Sequence, residues 1–298
     1  MSCAAQLADI VPRADRARPD LTASLGRGHA ILSRAWPEGH PTLQTIAALQ
    51  QRLASMRLRV AVLGQFKRGK STFINALLGK GVVPSAVVPA TAIPTFISWS
   101  PRTLIRVVYL DGRPDQEIVP GPEGEVAHMR ELVTEGGNPH NRRAIARVDV
   151  LLDADVLKDG LVLIDTPGIG STLQHNTDTA LQVLSECDAA VFLFSADPPL
   201  TQAEIGYLSM VQASVSRLYF LLNKVDYLTE QEHEELVKFA RDVLEESGFT
   251  PAPQILSLSA RQALAARLAG DCDALEASGL LRIERDIFAP LQAEKTAP

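Results

Sequence analysis

Short apolar runs alternate with helical patterns along most of the chain from residue 58 onward. Several runs are continuously apolar, as is typical of strands buried on both faces of a mostly parallel sheet. The alternation predicts an α/β fold, a doubly wound sheet with flanking helices. The predicted strands are RVAVLG, TFISW, LIRVVYL, VDVLL, LVLID, AAVFLF, LYFLLN and QILSLS, and the predicted helices cover residues 70–78, 177–186, 202–213, 230–246 and 260–269.

Two more apolar stripes lie outside this alternating region. Apolar residues recur at steps of three or four positions over residues 43–56 and again over residues 280–291. Each stripe predicts a helix with one apolar face. The first helix either covers the core of its own domain or awaits partner helices. Residues 1–41 mix Arg, Asp, Pro and Gly and are predicted to be loosely ordered or marginally helical, and LDGRP at residues 110–114 predicts a turn between antiparallel strands.

Composition narrows the class of protein. The 298 residues allow one large or two small domains, at roughly 100–200 residues per domain. The formal net charge of −6 argues against a nucleic-acid partner, because such binders normally carry a basic face. The three cysteines lack metal-ligand spacing and indicate reduced thiols. The chain shows neither a secretory signal nor a run of about 18 apolar residues, so we expect a cytoplasmic protein.

The clearest chemical signal is VLGQFKRGKSTFINALLG at residues 62–79, where Gly-x-x-x-x-Gly-Lys-Ser stands between a predicted strand and a predicted helix. Successive backbone N–H groups and the start of the helix would cradle a β-phosphate. Lys70 would reach the β- and γ-phosphates, and Ser71 would ligate Mg²⁺. The predicted nucleotide-binding residues of this loop are Gly64, Gln65, Gly69, Lys70, Ser71 and Thr72.

A second polar turn, DTPG, follows the predicted strand LVLID. Asp165 at the end of that strand is placed to hold Mg²⁺ through a water molecule. The N–H group of Gly168 would bond the γ-phosphate and lose that contact after hydrolysis.

The turn NKVD predicts which base is bound. It follows the strand LYFLLN and contains Asn223, Lys224 and Asp226. Guanine presents the N1–H and N2–H donors that one carboxylate accepts, whereas adenine has no matching donors on that edge. Asp226 therefore selects guanine, and the alkyl stem of Lys224 would cover the base. Ser259 and Ala260 follow the last strand, where backbone N–H groups would meet the guanine oxygen.

In this order the motifs resemble a GTPase domain of the translation-factor type. The stretches GQFKRGKSTFINALLG, VVPSAVVPATAIPT and PGIGSTLQHNTDTALQVLSECDAAVFLFSADPPLTQAE resemble the dynamin superfamily, especially bacterial dynamin-like proteins, over roughly residues 58–262. The resemblance implies that Thr91 is the switch threonine that closes over Mg²⁺ and the γ-phosphate, with Thr95 as the alternative. Ser71, Thr91 and Asp165 would then surround the metal.

The two extra cations of the phosphate loop are candidates for catalysis. Ile169 follows DTPG where a glutamine would orient the attacking water, so another group must stabilise charge on the phosphates. In related proteins the position of Lys67 coordinates a monovalent cation or is an arginine finger. Lys67 would replace that cation, Arg68 is the neighbouring alternative, and a third interpretation has both facing solvent or a partner.

The resemblance implies hydrolysis of GTP to GDP and phosphate, a homodimer through the nucleotide face and peripheral association with the inner membrane surface. It divides the chain into a loosely ordered segment (1–41), a neck-type helix (42–57), a GTPase domain (58–270) and a C-terminal neck-type helix with its tail (271–298). Membrane remodelling would need a helical stalk or partner protein that these residues do not contain. A stand-alone regulatory GTPase and a nucleotide-gated scaffold with little turnover are the alternatives, and NKVD argues against an ATPase.

Overall fold

The structure, a computed structural model, describes residues 23–37, 40–54, 57–84, 93–121, 124–167 and 183–296. Residues 23–32 are helical. The strands are β1 (Leu58–Leu63), β2 (Thr95–Trp99), β3 (Leu104–Tyr109), β4 (Gln116–Ile118), β5 (Ile145–Leu152), β6 (Leu161–Asp165), β7 (Ala189–Ser195), β8 (Leu218–Asn223) and β9 (Ile255–Leu258). The helices that follow residue 40 are α1 (Pro41–Ala54), α2 (Lys70–Leu78), α3 (Gly124–Val133), α4 (Gln202–Gln212), α5 (Glu230–Glu246), α6 (Ala260–Ala269), α7 (Cys272–Ala277), α8 (Leu280–Ile283) and α9 (Ala289–Thr296), with a π-helical turn at Glu284–Phe288.

Within the described part of the chain the strands form a nine-stranded sheet in the order β4-β3-β5-β2-β6-β1-β7-β8-β9. β1, β7, β8 and β9 are parallel neighbours. The other half is mixed, since β2 is parallel to β5 but antiparallel to β6, and β3 is antiparallel to both β5 and β4. The α/β fold predicted from the sequence is confirmed, and the sheet is parallel where most of the motifs lie.

Burial explains why the parallel half could be predicted. Every residue of β6 and β7 is buried, so these strands appear as unbroken apolar runs. Phe192, Phe194 and Phe220 belong to a core cluster between this half of the sheet and its helices. Because the carboxyl ends of parallel strands meet at one edge of a sheet, the turns that follow β1, β7, β8 and β9 come together there.

The eight predicted strands are present, and β3 and β4 form the expected antiparallel pair around residues 110–114. β4 and α3 are among the elements that were missed. β4 has only three residues at the sheet edge, too short to show a period. Helix α3 buries only Met129, Leu132 and Val133, so its apolar pattern is weak. The helix expected at 177–186 lies outside the described residues except for its last four positions.

The apolar stripes near the two ends of the chain are helical, as expected. The first forms α1. The second runs through α8, the π-helical turn and α9, and buries Leu280, Ile283, Ile287 and Leu291. Contacts divide the chain into a unit of Arg59–Phe288 and a unit that joins Met1–Leu58 with Ala289–Pro298. None of the described helices is long and apolar enough to cross a bilayer.

Candidate functional site

The phosphate loop turns sharply between β1 and α2. Gly64 has φ 139° and Gly69 has φ 95°, backbone conformations that glycine adopts at little cost. A Cβ atom on Gly64 would overlap the carbonyl oxygen of Leu193, and one on Gly69 would overlap the side-chain amide nitrogen of Asn223. Both glycines are therefore required by close packing of the loop against the ends of β7 and β8.

Lys70, the first residue of α2, is buried beneath the loop. Its Nζ atom donates to the carbonyl oxygens of Gly64 at 2.8 Å and Gln65 at 3.2 Å. Burial lowers the pKa of Lys70, and the negative charges of Asp165 and Glu204 oppose that shift. The amine is thus held by carbonyl oxygens of the phosphate loop, the loop that is predicted to bind the nucleotide phosphates.

The hydroxyl of Ser71 points toward the end of β6, where its Oγ atom lies 3.4 Å from Oδ2 of Asp165. Asp165 is fully buried, and Oγ1 of Thr166 donates to the carbonyl oxygen of Val62 at 2.8 Å. Thr72 lies in the first turn of α2, where backbone N–H groups have no intrahelical partner and suit an anion. The loop and the DTPG turn are therefore held side by side.

Thr95 is the predicted switch residue that falls within the described part of the chain. Thr91 and Gly168 lie outside the described residues, as does Ile169. Thr95 is the first residue of β2, is fully buried and pairs in register with Asp165. A strand residue in this position is fixed by the sheet ladder.

Arg68 is buried and surrounded by acceptors. Its Nε and Nη2 atoms donate to the two carboxylate oxygens of Glu204 at 2.9 and 2.8 Å. Its Nη1 atom donates to Oγ of Ser195 at 2.9 Å and to the carbonyl oxygen of Asp197 at 3.2 Å. Arg68 thus connects the phosphate loop to the end of β7 and to α4.

Lys67 has the opposite surroundings. It is exposed at the top of the loop, adopts a left-handed backbone conformation with φ 66°, and places Nζ 5.5 Å from the centroid of the Phe66 ring. The side chain of Lys67 is therefore at the surface of the loop.

Glu204 was missed by the sequence reading. It is fully buried and forms a capping box with Thr201 at the start of α4, and Gln65 donates to Oγ1 of Thr201 at 2.9 Å. The sequence signal was present, because TQAE matches the Ser/Thr-x-x-Glu pattern of a helix start. That pattern indicates a helix cap. It does not indicate that the Glu204 carboxylate also binds Arg68 of the phosphate loop.

Asn223 connects the base-recognition turn to the phosphate loop. Its Nδ2 atom donates to the carbonyl oxygen of Arg68 at 2.8 Å. Its Oδ1 atom accepts from the backbone N–H groups of Lys224 at 2.8 Å and Ala260 at 3.0 Å. One buried amide therefore fixes the separation of three segments that the sequence placed far apart.

Lys224 and Asp226 lie in the turn after β8. Lys224 has a left-handed backbone with φ 66°, and burial lowers its pKa. Burial acts to raise the pKa of Asp226, but hydrogen bonds from Ser259 and Arg261 outweigh it and hold the pKa below its ordinary value. Asp226 is therefore an anion at neutral pH, as recognition of guanine requires.

The N–H groups expected to meet the guanine oxygen have other partners. The N–H of Ser259 donates to the carbonyl oxygen of Ser278 at 2.9 Å, and the N–H of Ala260 donates to Asn223. Arg261 follows as the second residue of α6, where no carbonyl within the helix reaches its N–H group. It is the next backbone donor along the chain.

Comparison with known proteins agrees with this geometry. Residues 60–225 match the model of the Dynamin family. A curated relative, "Uncharacterized protein in xynA 3'region" of Caldicellulosiruptor sp. (strain Rt8B.4), is 33% identical over 83% of this chain and 60% of its own length. The bacterial dynamin-like protein of Nostoc punctiforme is 29% identical over 63% of this chain and 28% of its own length. The chain thus spans less than two thirds of either relative.

Among solved structures, a chain described under "An oligomerised bacterial dynamin pair provides a mechanism for the long range sensing and tethering of membranes" aligns with a TM-score of 0.65. The alignment covers 95% of this chain and 44% of the other, with 17% sequence identity. At that identity the likeness concerns the fold.

Proposed function

Because the chain belongs to the dynamin family and carries its GTPase domain, we propose that it binds GTP between β1 and α2 and hydrolyses it to GDP and phosphate. The observation that carries this proposal is the hydrogen-bond set of Asn223. One side chain links the carbonyl oxygen of Arg68, the turn containing Asp226 and the N–H group of Ala260. The proposed phosphate site and base site would thereby be held at a fixed separation, as a single nucleotide needs.

Base selection would rest on Asp226. Its carboxylate accepts paired hydrogen bonds from N1–H and N2–H of guanine, and its depressed pKa keeps it ionised. A site built to pair with such donors discriminates strongly against a ligand that lacks them, by a factor of up to about 10⁴–10⁵. The N–H group of Arg261 would meet the guanine oxygen, in place of Ser259 and Ala260.

Magnesium would bind beside Ser71. A hydroxyl and a buried carboxylate that lie 3.4 Å apart supply the oxygen ligands that Mg²⁺ prefers, directly or through water. The described residues hold no cluster of three His, Cys, Asp or Glu able to bind a metal by themselves. Phosphate oxygens and water would complete the coordination of the ion, and Thr91 is proposed to close over it. Such an ion would neutralise charge on the β- and γ-phosphates.

Lys67 is the better candidate for the extra catalytic charge. The guanidinium group of Arg68 donates to Glu204, Ser195 and Asp197. If it left these partners, the buried carboxylate of Glu204 would lose its ion pair. Lys67 is exposed beside the phosphate cradle. We assign the stabilisation of transition-state charge to Lys67 and the positioning of the loop to Arg68.

The second part of the proposal concerns assembly. We propose a nucleotide-dependent homodimer through the face that carries Lys67, acting peripherally at a membrane together with a helical stalk or partner protein. The family match and the oligomeric bacterial dynamin pair with the same fold support this direction.

The test of nucleotide chemistry is steady-state phosphate release and equilibrium binding with GTP and ATP. We expect GTP to bind at least 10³-fold more tightly than ATP, in line with loss of a buried hydrogen-bond pair. Lys70→Ala should nearly abolish turnover because the β/γ charge loses a fixed cation. Lys158→Ala is the matched control, since Lys158 is an exposed lysine that pairs with Asp155.

Two outcomes would contradict the proposal. Equal affinity for ATP and GTP would remove the assignment of Asp226. Tight GTP binding with turnover no higher than that of Lys70→Ala would identify a nucleotide-gated scaffold instead.

A further inference from the structure

The carboxylate of Asp226, which is proposed to bind guanine, forms an ion pair with Arg261. Nη2 of Arg261 lies 2.8 Å from Oδ2 of Asp226. The side chain of Asp226 is 2% exposed, whereas that of Arg261 is 68% exposed. Arg261 therefore lies on the solvent side of the pair, and its partner is the carboxylate that a base has to reach.

The chemistry of the two possible partners is alike. In guanine, N1–H and N2–H flank the single carbon C2, so this edge of the base is a cyclic guanidine. The Arg261 side chain ends in the same arrangement of N–H donors around one carbon, which suits a carboxylate. Guanine needs both carboxylate oxygens, and Oδ2 is the oxygen that Nη2 of Arg261 contacts, so the base competes with Arg261 for that oxygen.

We propose that Arg261 occupies the guanine-binding position of Asp226 in the nucleotide-free protein and that each binding event exchanges this arginine for the base. The inference rests on the proposed function. It adds a competing side chain at the base site that sets how fast and how tightly guanine nucleotides bind.

While it is paired with Asp226, Arg261 also lies near an aromatic ring. Cζ of Arg261 lies 5.3 Å from the centroid of the Tyr227 ring, and this ring is exposed. A guanidinium group near an aromatic face keeps a favourable interaction, so Arg261 does not lose all its contacts when it leaves Asp226. Its backbone stays in α6, and the N–H group assigned to the guanine oxygen is unaffected by the side-chain movement.

The pair is weak enough to exchange. An ion pair with one largely exposed partner contributes little net stability and is screened by salt. Because the pair has to break before guanine binds, it would lower the affinity for guanine nucleotides by roughly two- to fivefold, the factor that such pairs contribute. The competition therefore tunes affinity without preventing binding.

The test measures binding of a fluorescent N-methylanthraniloyl derivative of GDP by stopped flow and at equilibrium. Arg261→Ala is expected to raise the association rate and the affinity about two- to fivefold. Arg241→Ala, which removes an exposed arginine from α5, is the matched control and should change neither. Higher salt should narrow the difference between the unmodified protein and Arg261→Ala, because it weakens the pair.

The sign of the effect separates this proposal from simple electrostatics. If Arg261 only attracted phosphates, its removal would slow association and weaken binding. A second arm uses Asp226→Asn with xanthosine diphosphate, where adding Arg261→Ala should have little effect because the carboxylate is gone.

Unchanged or weaker GDP binding in Arg261→Ala would overturn the proposal, as would an equally large gain in the Asp226→Asn background. The proposed function is judged separately, by whether the unmodified protein prefers GDP to ADP.

Discussion

Adjacent residues of the phosphate loop carry the same charge in opposite surroundings. Arg68 is buried against Glu204, while Lys67 is exposed next to Phe66. The difference follows from the backbone, because the left-handed conformation of Lys67 turns one side chain outward and lets the next turn inward. Chemistry at the phosphates and rigidity of the loop are thus assigned to different cations.

We expect Lys67→Ala to lower the turnover number about 10²-fold while the dissociation constant for GTP changes less than threefold. An electrostatic donor that acts mainly in the transition state contributes roughly this factor. Turnover should also not depend on potassium, because the ammonium group takes the place of a bound cation. Steady-state phosphate release in sodium and potassium buffers measures both effects.

Arg68→Ala is the informative comparison, and it should lower stability and nucleotide affinity together because Glu204 loses its partner. Full activity in Lys67→Ala would end the assignment. A selective loss of turnover in Arg68→Ala, with unchanged stability, would transfer the role to Arg68.

At the scale of the element, two helices begin with the same capping box, but the glutamate of one box also forms a buried ion pair. Thr201 and Glu204 cap α4, and Thr229 and Glu232 cap α5, with both reciprocal hydrogen bonds present in each case. Glu232 is exposed, whereas Glu204 is fully buried and also binds Arg68. Helix α4 is therefore coupled to the phosphate loop, and α5 is not coupled in this way.

Glu204→Gln should lower the free energy of unfolding by on the order of 3–5 kcal/mol, the range for removing one partner of a buried ion pair. Glu232→Gln alters the same capping pattern without an arginine, so its effect should be much smaller. Urea unfolding of the two variants makes the comparison. Similar midpoints for both would show that the ion pair with Arg68 adds nothing to the cap.

At the scale of the whole molecule, nucleotide chemistry and assembly are separate questions. The described residues contain the phosphate loop and the turn proposed to bind the base, but the chain spans 60% of one curated relative and 28% of another. Dimerisation and membrane association are therefore proposed for this chain and tested directly.

We expect turnover per chain to rise with protein concentration, because pairing through the nucleotide face would exclude water from the phosphates. GDP with aluminium fluoride, which mimics the transition state, should produce dimers, whereas GDP alone should not. Sedimentation velocity and phosphate release, with and without anionic liposomes, provide the measurements. Turnover per chain that is independent of concentration, with monomers in every nucleotide state, would contradict the proposed dimer.

Much of the fold and of the proposed nucleotide chemistry was determined locally by the sequence. Buried parallel strands need continuous apolar runs, so β6, β7 and β8 could be recognised without knowing their neighbours. The phosphate loop needs glycine at Gly64 and Gly69 because no other residue fits the backbone and the packing there. Both signals depend on residues close together in the chain, which is why they survive in a one-dimensional pattern.

Tertiary structure alone decided which side chains meet across the site. Arg68 and Glu204 are 136 residues apart, Asn223 reaches Arg68 across 155 residues, and Arg261 meets Asp226 across 35. No local period records these pairings, because they arise where strands distant in the chain end at one edge of the sheet. The sequence thus determined the chemistry that each turn offers. The fold decided that the buried Arg68 pairs with Glu204 and that Asn223 hydrogen-bonds to the phosphate loop. It also decided that Arg261 pairs with Asp226.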